Sequence, residues 1–290
     1  MIGIFDSGIG GLTVLKEIKR LLPFYDLVYF GDTARVPYGN RSSALINQYA
    51  QEDANFLIKM GAKIIVVACN TVSAVALENL RNNFPVPIFG VIQPALRAAL
   101  QVTKSGRIGV IATRATISSN AFTKELKVLN LHGKENITDS NINVPAFVRR
   151  QQQIKKTADQ KIKIFYQIAP LLVPLIEENY IYKSEAVKII KQYLQPLKKE
   201  QIDTLILGCT HYPIIYDLIS AKMKNAKIIN PALQVAKELK DFLLSNPDID
   251  RSLSKRKQIR YFVSDLTPHL NDIAKNFMGQ NINLEKVEIT

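Results

Sequence analysis

Ile64-Ile65-Val66-Val67-Ala68-Cys69-Asn70 reads as an apolar strand that ends on a thiol and an amide. The same design returns at Leu205-Ile206-Leu207-Gly208-Cys209-Thr210, with the two cysteines 140 residues apart. Gln93-Pro94-Ala95-Leu96 is mirrored by Asn230-Pro231-Ala232-Leu233, with the prolines 137 residues apart. Ile2-Gly3-Ile4, followed by a polar turn, is echoed by Ile108-Gly109-Val110 followed by Ala112-Thr113-Arg114. Further β-branched runs lie at 2–5, 27–30, 64–68, 88–91, 107–111, 204–207, 227–229 and 260–263. They alternate with helical patterns at 11–22, 41–60, 73–82 and 186–195, the signature of an α/β fold with mainly parallel sheets. Gly61 is placed to stop the second of these helices. Matched echoes at a nearly constant offset favour two related α/β units over one long sheet. Chance likeness between α/β units is the weaker explanation.

The 290 residues are 47% hydrophobic and 22% charged, with mean hydropathy +0.01. That length holds one large α/β domain or two of about 100–200 residues, and the composition excludes disordered and fibrous classes. The densest apolar runs, 64–69 and 171–176, have six residues against the roughly 18 a membrane span needs. Met1-Ile2-Gly3-Ile4-Phe5 lacks a basic leader and already reads as a strand, so a cytoplasmic protein with no membrane partner is expected. The net charge is +13, which permits nucleic-acid or acidic-membrane binding but equally suits anionic substrates. Residues 251–260 (RSLSKRKQIR) carry five cations and no anion, and 149–163 carry six against Asp159 alone. Neither run interleaves aromatics for base stacking, so solvated surface is the favoured reading and nucleic acid a disfavoured partner. The polar stretch 132–160 reads as a loop or exposed helix in the second half and resolves into no motif.

With two cysteines, three histidines at 132, 211 and 269, and no Cys-x-x-Cys, no metal site is expected. The cysteines read as free thiols rather than a disulfide. In parallel sheets, ligands gather beyond the carboxyl ends of strands. Four polar clusters fall there: Asp6-Ser7-Gly8-Ile9-Gly10-Gly11, Gly31-Asp32-Thr33-Ala34-Arg35-Val36-Pro37-Tyr38-Gly39, Cys69-Asn70-Thr71 and Cys209-Thr210-His211-Tyr212-Pro213. The first is no dinucleotide fingerprint, because Thr13 stands where the third glycine belongs. It suits backbone binding of a carboxylate, or equally an Asx turn on Asp6. A lone buried cysteine is usually a small apolar filler. Two matched copies, each before a probable helix start that would lower a thiol pKa from about 8.5, reverse that preference. Thiols facing one ligand from opposite sides suit inversion at a stereocentre: one takes a proton and the other returns one to the opposite face. Asp6 is placed to assist Cys69, and His211 to assist Cys209. His132 and His269 read as structural.

These clusters, together with Gly90-Val91-Ile92-Gln93-Pro94-Ala95 and Val173-Pro174-Leu175-Ile176-Glu177, resemble the glutamate racemases of the aspartate/glutamate racemase superfamily, from Met1 to about residue 240. The resemblance implies interconversion of L- and D-glutamate without a cofactor, supplying D-glutamate for bacterial peptidoglycan. It implies catalytic roles for Cys69 and Cys209, assisted by Asp6, His211 and Glu177. Substrate contacts carry over to Asp6, Ser7, Pro37, Tyr38, Gly39, Asn70, Thr71, Thr210 and His211, with Thr113, Thr116 and Ser118 holding a substrate carboxylate. The implied fold has two pseudo-symmetric α/β domains, 1–95 and 96–210, with the site in the cleft between them. Residues 211–290 would return to the first domain, and a homodimer is compatible with the family. Three positions depart from the family pattern: Ala169 for a cysteine, Asn230-Pro231 for Asp-Ser, and Phe122 for a tyrosine. Two other readings stay open. One is a racemase of aspartate or another small carboxylate. The other is a binding protein that recruits a nucleic-acid or gyrase-like partner through its basic surface.

Overall fold

The computed structural model describes residues 1–131 and 162–289. The stretch 132–160, with His132 and most of the basic run 149–163, lies outside the described residues. In chain order the strands are β1 (Ile2–Asp6), β2 (Leu27–Gly31), β3 (Ile64–Val67), β4 (Ile88–Gly90), β5 (Arg107–Ala112), β6 (Lys163–Ile168), β7 (Thr204–Gly208), β8 (Lys227–Ile229), β9 (Ile259–Val263) and β10 (Leu284–Lys286). They form two sheets in which every pairing is parallel. The first has the order β10-β9-β2-β1-β3-β4 and the second β6-β5-β7-β8. The block β2-β1-β3-β4 therefore recurs as β6-β5-β7-β8, four strands later. The crossover from β5 to β6 is longer than that from β1 to β2, and 132–161 falls inside it.

Strands β1, β2 and β3 are buried along their whole length, as expected where helices cover both faces of a parallel sheet. Gly3 and Gly109 occupy the same place in the central strands of the two sheets. A Cβ on Gly3 would lie 2.9 Å from Ala62 Cβ and 3.1 Å from Leu57, and one on Gly109 would run into Ile202. The glycines thus let covering segments approach each sheet closely, which explains the repeated Ile-Gly pairs. Gly61 ends the helix Ser43–Lys59 in the left-handed conformation (φ 88°).

The core is continuous across the two sheets. One cluster joins Ile2, Ile4 and Leu12 to Ile111, Leu205 and Leu207, through the helices Leu12–Leu21 and Pro231–Ser245. All eight expected strands are present, and β6 and β10 are additional. β6 is an edge strand, half-buried beyond its exposed Lys163, and β10 has three residues of which only Leu284 is buried. β6 holds the triplet Ile164-Phe165-Tyr166 between Lys163 and Gln167, and β10 a single buried apolar residue. β8 lies beyond residue 210 yet pairs with β7, and the chain rejoins the first sheet at β9. Asn230 caps the helix Pro231–Ser245 by accepting from Ala232 N at 3.0 Å, so its departure from the family pattern keeps a sound helix start. Phe122 and Ala169 are both fully buried apolar residues.

Four of the five cations in the run 251–260 pair with acids within the fold. Arg251 pairs with Asp248, Lys255 with Asp250 at 2.7 Å, Arg256 with Asp26 at 2.8 Å and Arg260 with Glu285 at 3.6 Å. Lys257 lies over the Phe24 ring, 4.9 Å from its centroid. Among the described residues, no helix is long and apolar enough to cross a membrane.

Candidate active site

Register places the two cysteines equivalently. Gly3 pairs with Ile65 and Gly109 with Leu205, each partner four residues before its cysteine. Cys69 and Cys209 both follow the carboxyl ends of strands, and both are free, buried thiols. The same register matches Ser7 to Thr113, Asn70 to Thr210 and Thr71 to His211.

Three contacts close the seam between the halves. Thr13 Oγ donates to the Thr210 carbonyl at 2.8 Å, and Thr210 Oγ lies 3.5 Å from Asp6 Oδ1. Thr71, Thr113 and Thr116 form a triangle of hydroxyls with sides of 3.0, 3.3 and 3.0 Å. Gly10 permits a close approach here, since a Cβ would collide with the side chains of Thr210 and His211. Gly39 lies against Thr113, where a Cβ would sit 3.2 Å from the threonine Cβ.

Around the first thiol, Cys69 Sγ donates to Ser7 Oγ at 3.3 Å. Asp6 is buried and accepts from Gly8 N at 3.1 Å, so the Asx turn and the site coexist. Burial raises the Asp6 pKa against the opposing pull of His211 and the amides of Gly11 and Gly8. Burial, then the charge of Asp6, pushes the Cys69 thiol up to about 12, against the Ser7 hydroxyl and the Val72 amide. This reverses the expected lowering by a helix start. The helix Asn70–Val75 has only six residues, and its dipole is weaker than desolvation beside a carboxylate. Asn70 is buried, and its Oδ1 has no hydrogen-bond partner, leaving an acceptor free for a ligand.

Around the second thiol, Cys209 Sγ lies 3.8 Å from His211 Nδ1, and His211 Nε2 is 2.7 Å from Glu177 Oε1. Burial works to lower the imidazole pKa. The bonds to Cys209 and Glu177 outweigh it and lift His211 to about 10. Glu177 ends the helix Leu172–Glu177, which the apolar run 171–176 builds.

The loop 31–39 turns part of its polar set inward. Tyr38 is fully buried, and its hydroxyl donates to Asp32, with Asp53 Oδ2 at 3.2 Å. Pro37 beside it is exposed and follows a cis Val36–Pro37 bond. Ser118 is exposed and stands apart from the threonine triangle, whereas Thr116 is fully buried. Thr13 and Tyr29, whose hydroxyl donates to the Gly8 carbonyl at 2.7 Å, are site-building residues that motif reading missed. Both lie inside regular elements, where a hydroxyl reads as core, and no local pattern marks them. His269 is exposed and 3.6 Å from Glu178. Among the described residues, no group of three His, Cys, Asp or Glu side chains is placed to hold a metal ion.

The Asp/Glu/hydantoin racemase family model matches residues 2–239. A glutamate racemase of a Sulfurihydrogenibium species is 40% identical over 290 residues, covering 100% of this chain and 97% of its own. The crystal structure of a Bacillus anthracis glutamate racemase superposes with a TM-score of 0.84 at 34% identity, covering 100% of this chain and 97% of that one. A Francisella tularensis glutamate racemase, solved with D-glutamate, superposes at 0.80 with 33% identity, covering 99% and 97%. The chain belongs to the Asp/Glu/hydantoin racemase family, among its amino-acid racemases.

Proposed function

We propose that this protein interconverts L- and D-glutamate through Cys69 and Cys209, without a cofactor, and supplies D-glutamate for peptidoglycan in the cytoplasm. The observation that carries the reading is the equivalent placement of two free thiols at the ends of β3 and β7, on either side of one seam. One cysteine, as thiolate, takes the α-proton from one face of the substrate. The other, as thiol, delivers its proton to the opposite face of the carbanion. The turnover leaves the two protonation states exchanged, ready for the opposite enantiomer. Asp6 and Ser7 attend Cys69, while His211, held by Glu177, attends Cys209. Asn70 Oδ1 is an acceptor for the substrate ammonium, and the hydroxyls of Thr71, Thr113 and Thr116 are donors for a carboxylate. Thr210 and the backbone of Pro37, Tyr38 and Gly39 complete the binding surface.

The test is proton NMR of L-glutamate in heavy water with chiral analysis, for the wild type, Cys69→Ala and Cys209→Ala. Exchange of the α-proton with D-glutamate appearing, and loss of racemisation in both variants, is the expected result. Racemisation that survives either substitution overturns the two-thiol mechanism. Exchange on aspartate but not glutamate reassigns the substrate.

A further inference from the structure

His211 is held through both ring nitrogens, at Cys209 and at Glu177. Contacts at the two ring nitrogens fix an axis and leave rotation of the ring about it to packing. Gly10 comes so close to the ring that a Cβ would strike Nδ1 and Cε1. Phe277 also packs against it, with ring centroids 5.6 Å apart and planes at 85°. Phe277 is 5% exposed and belongs to the helix Pro268–Met278, in the segment that returns to the first sheet.

Near the start of that helix, exposed His269 lies 3.6 Å from Glu178, next to the glutamate that holds His211. In the last turn, the Phe277 carbonyl accepts from Lys16 Nζ at 3.4 Å, and Gly279 closes the helix in the left-handed conformation (φ 71°). Edge-to-face contact is a favoured geometry between aromatic rings, and a buried phenyl resists displacement.

We propose that Phe277 is a positioning residue: its ring sets the tilt of the His211 imidazole, and with it the aim of Nδ1 at Cys209 Sγ. The proposal rests on the reading that Cys209 moves the α-proton. A misaimed imidazole slows the proton transfers of Cys209 and leaves those of Cys69 alone.

The experiment compares the wild type, Phe277→Leu, Phe277→Met and Ile273→Val, the last from the same buried helix face one turn earlier. Circular dichroism at the assay temperature identifies the folded variants, and Phe277→Met serves if Phe277→Leu does not fold. The leucine variant is expected to lose about tenfold in kcat, with KM changed by less than about twofold. The 2-deuterium isotope effect should rise for the enantiomer whose proton Cys209 takes and fall for the other. Ile273→Val should keep both kcat and the isotope effects. A kcat within about twofold of wild type, or isotope effects that move together for both enantiomers, overturns the proposal. Racemisation surviving in Cys209→Ala would instead defeat the underlying two-thiol reading, whatever Phe277→Leu does.

Discussion

The two halves of the site match in their thiols and differ in their helpers. Register sets Asp6 against Ala112 and His211 against Thr71, so neither the acid near Cys69 nor the imidazole near Cys209 has an ionisable counterpart in the other half. His211 is the clearest case of a charge held by its partners, Cys209 first and then Glu177. A folded-state value of about 10 against the ordinary 6.5 means that the imidazolium stabilises the fold fully below pH 6.5. That contribution is lost as pH rises through about 10. Glu177→Gln keeps a hydrogen-bonding group and removes the charge. The imidazole midpoint, followed by NMR of carbon-13-labelled histidine, should fall by about one unit or more. Racemisation should weaken in parallel, and an unmoved midpoint would show that Cys209 alone sustains the shift.

At the scale of elements, the basic run at 251–260 serves as a clip between β2 and β9. Asp26, buried just before β2, accepts from Arg256 N at 2.8 Å, Arg256 Nε at 2.8 Å and Gln258 N at 3.1 Å. Burial opposes the ionised form. These bonds overcome it and hold the carboxyl at about 2. A folded value below the ordinary 3.8 contributes stability above pH 3.8 that disappears as pH falls through about 2. Asp26→Asn should therefore cost roughly 1–2 kcal/mol at pH 7. Urea denaturation should show the gap between wild type and variant closing toward pH 2. The charge run thus has a local structural purpose: Arg256 and Arg260 pair with acids from other segments, and Arg251 and Lys255 with acids of the preceding turn. Only the tertiary contacts revealed this, because Asp26 and Glu285 are distant in sequence from the cations they neutralise.

For the whole molecule, the seam joins the two halves that carry the thiols. The Thr13 hydroxyl, which also lies 3.0 Å from the Gly10 carbonyl, reaches from the first half to the Thr210 carbonyl beside Cys209. Thr13→Val keeps the shape and leaves a buried carbonyl unpaired. It should cost about 1–3 kcal/mol in denaturation, and kcat/KM should fall about tenfold as the loops shift. Lost stability with unchanged kcat/KM would make the bond part of the fold alone.

The alternation of strands and helices, the duplication and the clusters at strand ends were legible in the chain alone. Each of these is written in local apolar periodicity or in motifs a few residues long. The matched cysteines and the repeated Ile-Gly pairs were legible for the same reason, since a repeated packing solution repeats its residues. Tertiary structure alone decided what depends on distant partners or on solvent exclusion. It added the edge strands β6 and β10, the first only half-buried and the second only three residues long. It turned the Tyr38 hydroxyl into a buried acid cluster, and it set Phe277 against His211 from the far end of the chain. It also reversed the expected shift of Cys69, because desolvation belongs to the packed environment and is absent from any local pattern.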